Sequence, residues 1–210
     1  MIKKKYCIMD MDGTLVDSMP YWSRLSPDYL REKGFDGDYG SLMEQIKTMT
    51  MPEACIFLKE KFDLPEDPDQ IGRQLGEVMR RHYELDIPLK EGVREALTAL
   101  REEGAKLCIV TATAPPLVRL CLERLGVWDL FSFTLSCEEV GHGKDRPDAF
   151  LEAARRLGAR PEETAVYEDA LIALRTAAEA GFYTVAVYDE ASEEWEECVR
   201  IADEALTSWS

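Results

Sequence analysis

Two aspartates separated by one residue stand directly after a short apolar run near the start of the chain. Residues 6–9 form the run, and Asp10, Asp12 and Gly13 follow it. Such a run predicts a buried strand, and side chains at i and i+2 of an extended chain point to the same side. Two converging carboxylates repel each other unless a cation lies between them or one holds a proton. The spacing therefore predicts metal or acid–base chemistry, whereas a solvated acidic turn is the alternative for the pair alone.

Three later positions add polar side chains close to the ends of predicted strands. Thr111 closes an apolar run, Lys144 lies in a glycine-containing loop before a helix, and Glu168 and Asp169 follow another strand. A hydroxyl and backbone N–H groups at a strand-to-helix turn suit a phosphate oxygen. Each signal alone has a structural explanation, namely a helix cap before Pro115, a surface lysine and an acidic helix start. Together they predict one polar site at the carboxyl edge of a parallel sheet.

Composition and charge limit the classes of protein to consider. The chain has 210 residues, of which 46% are hydrophobic and 31% charged, and its net charge is −16. These values are typical of one large or two small globular domains. The negative charge disfavours nucleic acid and membrane surfaces as partners, and no apolar stretch approaches the roughly 18 residues of a membrane span. Because the basic start does not resemble a signal peptide, we expect a cytoplasmic protein. We also expect a monomer or weak dimer.

The cysteines and histidines do not form a recognisable metal pattern. Six cysteines are scattered along the chain without a CxxC pair. This distribution predicts reduced cysteines that serve mostly as small core residues. The two histidines, His82 and His142, stand in unrelated contexts, so a zinc site is not expected.

Strand-like and helix-like segments alternate after Pro88, and several of the helices end at a glycine. This alternation predicts an α/β fold with a doubly wound, Rossmann-like parallel sheet. The acidic run 189–197 is interpreted as a solvated helix face. We predict strands over 6–9, 106–111, 131–136, 164–167, 183–188 and about 203–206, and helices over 91–103, 115–125, 147–157, 170–180 and 192–199.

Residues 19–86 show no strand pattern and predict four helices, over 20–34, 40–49, 52–62 and 69–86. Because this block lies between the first strand and the others, it is an insertion with connections near residues 17 and 87. We therefore predict an α/β core formed by residues 1–16 and 88–210, which carries the catalytic site, and an inserted all-helical cap domain formed by residues 17–87.

The nine residues DMDGTLVDS, from Asp10 to Ser18, resemble the first motif of the haloacid dehalogenase (HAD) superfamily of phosphotransferases. Thr111, Lys144 and the Glu168-Asp169 pair follow in the order of the other three motifs, so the resemblance covers nearly the whole chain. The pattern around Lys144 and the inserted helical block are similar to the β-phosphoglucomutase-like branch. In this superfamily the cap determines the substrate.

The resemblance implies a Mg²⁺-dependent phosphatase that hydrolyses a small phosphorylated metabolite. Asp10 would be the nucleophile that forms an aspartyl-phosphate, and Asp12 would be the general acid and then the general base. Thr111 would bind the phosphoryl oxygens, and Lys144 would neutralise charge on the phosphoryl group and on Asp10. The presence of Asp12 favours phosphoryl transfer over carbon–halogen cleavage, because the dehalogenases of the superfamily lack the second aspartate.

The resemblance also implies the ligands of the metal and of the substrate. Hard oxygen ligands suit Mg²⁺, and these would come from Asp10, the backbone carbonyl of Asp12, and Asp169, with Glu168 in support. Substrate contacts would come from a set of core and cap residues: Gly13, Ala112, Thr113, Trp22 and Lys47.

A β-phosphoglucomutase-like sugar phosphomutase is the alternative within the family. Those mutases continue the second motif with Lys-Asn, where this chain has Ala114 and Pro115, and they carry a cap arginine where Met51 aligns. Lys47 would offer one cation, but the balance favours hydrolysis. Trp22 replaces a frequent family histidine and either lines the cap side of the pocket or packs within the cap.

Two alternatives come from other functional classes. A non-catalytic phosphate-ligand-binding module on the same fold would hydrolyse no phosphate monoester. A receiver-type signalling domain also uses aspartates, a threonine, a lysine and Mg²⁺. Receivers, however, are shorter, carry the phosphoacceptor on the third strand and lack a helical insertion.

Overall fold

The chain divides into two units, one of which is inserted into the other. A computed structural model describes residues 4–37, 39–46, 49 and 51–209, except for the side chain of Glu44. One unit contains the chain up to Met19 and from Ile87 onward, and the other is Pro20–Asp86. In the part of the chain that the structure describes, no helix combines the length and the apolar character needed to cross a bilayer.

A six-stranded sheet in the order β3-β2-β1-β4-β5-β6 forms the centre of the discontinuous unit. All five strand pairs are parallel, and helices connect most of them, which confirms the predicted α/β fold. The strands are β1 Tyr6–Met9, β2 Lys106–Thr111, β3 Phe131–Ser136, β4 Thr164–Glu168, β5 Tyr183–Val187 and β6 Glu204–Leu206.

The register of β1 determines where the first acidic residue falls. Met9 pairs with Ile109 of β2 on one side and with Tyr167 of β4 on the other. Asp10, the next residue, therefore leaves the sheet between the ends of these two strands. One apolar cluster of the unit includes Ile8 and Phe150. All six cysteines are unpaired and buried, as predicted for small core residues.

Helices surround the sheet within the same unit. They are α5 Val93–Glu102, α6 Pro115–Arg124, α7 Cys137–Val140, α8 Asp148–Leu157, α9 Leu171–Glu179 and α10 Trp195–Ile201. Short 3-10 turns at Trp128–Leu130 and Pro161–Glu163 precede β3 and β4.

The inserted unit contains four described helices, which the sequence predicts in the same order. They are α1 Met19–Glu32, α2 Gly40–Ile46, α3 Met51–Phe62 and α4 Pro68–Leu85. In α4 a capping box between Asp67 and Gln70 fixes the first turn. Its buried residues recur every four positions, so one face of the helix packs inside the unit: Ile71, Leu75, Met79 and Tyr83.

Two differences from the predicted elements concern acidic segments. Helix α10 begins at Trp195 rather than at residue 192. Asp189 is only 4% exposed, and its carboxylate pairs with the ammonium of Lys90 at 2.7 Å. The interpretation of residues 189–197 as a solvated helix face is therefore wrong at its first residue, because a cation from elsewhere in the chain compensates the buried charge.

Candidate active site

Asp10 is held in place by the continuation of the sheet beyond β1. Its backbone N–H donates to the carbonyl oxygen of Tyr167 on β4 at 3.0 Å, so the β1–β4 pairing extends one residue past the strand. The side chain is only 8% exposed. A buried carboxylate at the carboxyl edge of a parallel sheet needs a compensating positive charge or a proton.

Gly13 allows the chain to turn sharply after the second aspartate. The N–H of Val16 donates to the carbonyl oxygen of Met11 at 3.0 Å, which closes the turn. Gly13 adopts a φ of +80°, and a Cβ placed on it would lie 2.9 Å from Cγ of Asp169 and closer still to Oδ2. Both its left-handed conformation and this close approach therefore require glycine.

Lys144 connects the ends of two strands. Its ammonium donates to Oδ1 of Asp10 and to Oε1 of Glu168. The side chains are largely buried, at 12% exposed for Lys144 and 1% for Glu168. The possibility of an ordinary surface lysine is therefore excluded, and the predicted convergence of the loop and the two strand ends is observed.

Burial dominates the protonation of the acidic groups. It raises the pKa of Asp10 against the opposing attraction of Lys144, and it raises the pKa of Glu168 to about 8 in spite of the same lysine. Burial and then repulsion from Asp10 raise the pKa of Asp169 to about 7. Burial alone would lower the pKa of Lys144, but the attraction of the two carboxylates it contacts raises it. The lysine thus stays charged while the acids compete for further positive charge.

The arrangement fits a divalent cation. Oxygen atoms from Asp10, Glu168 and Asp169 lie within 4.8 Å of one another. When ionised, these three carboxylates carry more negative charge than the single ammonium of Lys144 compensates. Carboxylate oxygens are also the protein ligands that Mg²⁺ prefers. The donor atoms and the uncompensated charge both therefore suit a hard divalent cation.

Thr113 brings the second motif into contact with the second aspartate. Its hydroxyl donates to Oδ2 of Asp12 at 2.6 Å, and its backbone N–H donates to the hydroxyl oxygen of Thr111 at 3.1 Å. Thr111 is buried at the end of β2 and is not the helix cap, because Ala114 occupies the N-cap position of α6. Ala112, between the two threonines, is exposed.

Thr14 belongs to the site, although the sequence did not single it out within the first motif. Its hydroxyl donates to Oδ1 of Asp169 at 2.9 Å. The loop after β1 thereby contacts the acidic residue that follows β4. The signal in the sequence is a hydroxyl side chain four residues past Asp10, within the first motif.

The predicted substrate contacts of Trp22 and Lys47 stay predictions. Trp22 belongs to the inserted unit, where its indole N–H donates to the hydroxyl of Tyr83 at 3.3 Å. Lys47 lies outside the described residues, so its predicted substrate contact remains a prediction. His142 is exposed in the loop before Lys144.

A protein-family model matches most of the chain. A model described as a haloacid dehalogenase-like hydrolase matches residues 4–181. The match includes the turn after β1, the second-motif threonines, Lys144 and the acidic pair after β4.

Individual relatives and structures are similar over most of their length. The phosphorylated carbohydrates phosphatase of Thermotoga maritima is 29% identical over 181 residues, which cover 83% of this chain and 80% of that protein. The fructose-1-phosphate phosphatase of Escherichia coli K12 is 28% identical over 187 residues, covering 86% and 94%. A Thermotoga maritima structure described as a β-phosphoglucomutase is 23% identical and has a TM-score of 0.84, covering 96% of this chain and 94% of its own.

Proposed function

Because the chain belongs to the haloacid dehalogenase-like hydrolase family, we propose that it hydrolyses the phosphate monoester of a small phosphorylated carbohydrate through Asp10. Relatives of similar length are named as phosphatases of phosphorylated carbohydrates and of fructose 1-phosphate. These names support phosphoric monoester hydrolysis as the reaction and a sugar phosphate as the class of substrate.

The observation that carries the proposal is the position of Lys144 between Asp10 and Glu168. Its ammonium compensates the negative charge of Asp10, and the carboxylate remains available as a nucleophile. The same ammonium lies where it would attract the oxygens of an incoming phosphoryl group.

In the first step, a carboxylate oxygen of Asp10 attacks phosphorus and forms an acyl phosphate. The bond between phosphorus and the ester oxygen breaks, and its electron pair stays on that oxygen, which takes a proton from Asp12. Thr111 and the backbone N–H of Ala112 bind the phosphoryl oxygens. Asp12 must enter this step protonated, and the hydroxyl of Thr113 orients its carboxyl group.

In the second step, water attacks the phosphorus of the acyl phosphate. Asp12, now a carboxylate, takes a proton from that water, and the electron pair of the breaking bond returns to Asp10. Inorganic phosphate is released, and the protonation of Asp12 is restored.

The cation belongs to the proposal as a group that the residues present would hold. Asp10, Glu168, Asp169 and the backbone carbonyl of Asp12 would bind Mg²⁺, which when bound supplies positive charge beside the phosphoryl oxygens. Glu168 would act mainly by fixing Lys144 and only in support of the metal, as its contact with the ammonium suggests.

Hydrolysis is preferred to phosphomutase activity because the second motif carries no added cation. Ala114 and Pro115 occupy the start of α6, and Ala114 offers no side-chain cap hydrogen bond there. A mutase must hold a second phosphate, which calls for positive charge near the site. The similarity to a structure described as a β-phosphoglucomutase concerns the fold.

The proposal is tested by phosphate release from a panel of sugar phosphates, polyol phosphates, nucleotides and phosphoglycolate, in Mg²⁺ and in EDTA. We expect Mg²⁺-dependent turnover of one group of sugar or polyol phosphates. Asp10→Asn should reduce kcat by about a thousandfold or more, since the amide is a poor nucleophile.

Asp145→Asn is the matched control, because Asp145 is an exposed carboxylate next to Lys144 and should retain activity. Full Mg²⁺-dependent activity in Asp10→Asn would overturn the proposal. Interconversion of glucose 1-phosphate and glucose 6-phosphate with added bisphosphate, without net phosphate release, would instead identify a mutase.

A further inference from the structure

Trp209 packs against the site from a segment remote in sequence, after β6. Its indole N–H donates to the backbone carbonyl of Thr14 at 3.1 Å, a bond between residues 195 positions apart. Its ring stacks on that of Tyr167, with centroids 5.5 Å apart and an angle of 22° between the planes. The side chain is only 6% exposed. The stacking and the buried hydrogen bond together fix both the position and the orientation of the indole.

Thr14 and Tyr167 are each hydrogen-bonded to the acidic cluster. The hydroxyl of Thr14 donates to Oδ1 of Asp169 at 2.9 Å. The carbonyl of Tyr167 accepts the backbone N–H of Asp10 at 3.0 Å. The indole N–H thus binds the backbone carbonyl of Thr14, and the hydroxyl of Thr14 binds the carboxylate of Asp169.

We propose that Trp209 is a positioning residue for the metal-binding carboxylates, acting through Thr14 on Asp169. The inference rests on the proposed function, because it takes the three acids as ligands of a divalent cation. A carboxylate that is already oriented loses less freedom on binding a cation. Loss of the indole N–H therefore loosens the loop that carries Thr14 and weakens metal affinity, although Trp209 itself does not touch the metal.

The test measures metal binding directly rather than turnover. Mn²⁺ is titrated into metal-free protein, and the electron paramagnetic resonance signal of unbound Mn²⁺ gives the Kd. Trp209→Phe keeps an aromatic ring against Tyr167 but removes the N–H donor. We expect its Kd for Mn²⁺ to rise about three- to tenfold, while the Tm of the metal-free protein stays within about 5 °C of the wild type.

A double-mutant cycle separates positioning from general packing. Thr14→Val removes the hydroxyl that holds Asp169, and we expect it to raise the Kd at least as much as Trp209→Phe. Because both changes act through the same hydrogen-bonded residue, the double variant should bind Mn²⁺ about as well as Thr14→Val alone. Trp195→Phe is the matched control, since Trp195 packs edge-on against Tyr188 and should leave the Kd unchanged.

The outcomes distinguish the two proposals. A Trp209→Phe protein that binds Mn²⁺ as tightly as the wild type overturns the positioning role. A double variant whose change in binding free energy equals the sum of the two single changes also overturns it. A wild type that binds no Mn²⁺ also overturns it. If the wild type binds Mn²⁺ and the cycle behaves as expected, but no phosphate monoester is hydrolysed, the positioning role holds and the proposed function fails.

Discussion

Thr113 donates a hydrogen bond to Asp12 at 2.6 Å, and this contact bears on the residue that is proposed to carry the proton. A hydroxyl donor fixes one oxygen of the carboxyl group and therefore its rotamer. The other oxygen is then oriented reproducibly from one turnover to the next. The resemblance to the family implies a substrate contact for Thr113, whereas the geometry connects it to Asp12.

Thr113→Val distinguishes these two roles. If the hydroxyl orients Asp12, kcat falls about three- to tenfold, the size of one hydrogen bond, while KM changes little. If the hydroxyl binds substrate, KM rises instead. Steady-state kinetics on the best substrate of the panel measures both constants.

Thr113→Ser is the control, because it keeps a hydroxyl at the same position and should retain most of kcat. A Thr113→Val enzyme with wild-type kcat and KM would contradict the orienting role. The sequence could indicate that a hydroxyl lies at this strand end, but not which partner it selects, because that depends on a side-chain rotamer across two loops.

The limits of most elements follow from local sequence. Strands β2 and β3 have the predicted bounds, Lys106–Thr111 and Phe131–Ser136, because each is an apolar run closed by a change in polarity. The hydrophobic pattern does not predict helix α7, because its four residues, Cys137–Val140, are too few for a helical period. Its capping box between Ser136 and Glu139 was nevertheless readable from the sequence.

The connection that returns to the sheet before α5 is fixed by Lys90, whose sequence context does not distinguish it from an exposed lysine. The backbone N–H of Lys90 donates to the carbonyl of Leu15 at 3.0 Å. Its ammonium donates to the carbonyl of Tyr188 at 2.7 Å and contacts Asp189 at 2.7 Å. The two side chains are 14% and 4% exposed. Lys90 therefore ties the loop after β1 to the end of β5.

Lys90→Met should lower the free energy of unfolding by about 2–4 kcal/mol, because it leaves the carboxylate of Asp189 buried without its ammonium. Urea unfolding at neutral pH measures the change. The double variant with Asp189→Asn should recover part of the loss, since the amide is neutral and can still accept the N–H of Ala191.

Lys106→Met serves as the control, because Lys106 is exposed at the start of β2, and its replacement should change the unfolding free energy by less than about 0.5 kcal/mol. An equally small effect of Lys90→Met would show that the buried pair contributes nothing to the stability of this connection.

At the scale of the whole molecule, the alternation of strand-like and helix-like segments predicted a parallel sheet. The convergence of the motifs followed, because the carboxyl ends of parallel strands lie at one edge of the sheet. The sequence did not predict that Trp209 reaches Thr14, since no local periodicity relates positions 195 residues apart. Nor did the net charge of −16 indicate that three of the acids are crowded into one buried cluster. We therefore expect that crowding to make the stability of the fold depend on pH.

The metal-free protein should lose stability as pH rises from about 4.5 to about 8. The folded state raises the pKa of Glu168 from 4.5 to about 8 and that of Asp169 from 3.8 to about 7. Between the unfolded and the folded pKa values the folded state binds more protons than the unfolded state. The free energy of unfolding therefore falls with pH in this window, by on the order of a few kcal/mol.

Urea unfolding in EDTA at pH 5, 6, 7 and 8 measures this slope. Glu168→Gln should flatten it, because the amide does not titrate, whereas Glu179→Gln at the exposed end of α9 should leave it unchanged. Saturating Mg²⁺ should stabilise the wild type more at pH 8 than at pH 5, since the cation binds the ionised acids and displaces their protons. Equal slopes for the wild type and Glu168→Gln would mean that Glu168 is already ionised at pH 5 in the folded protein.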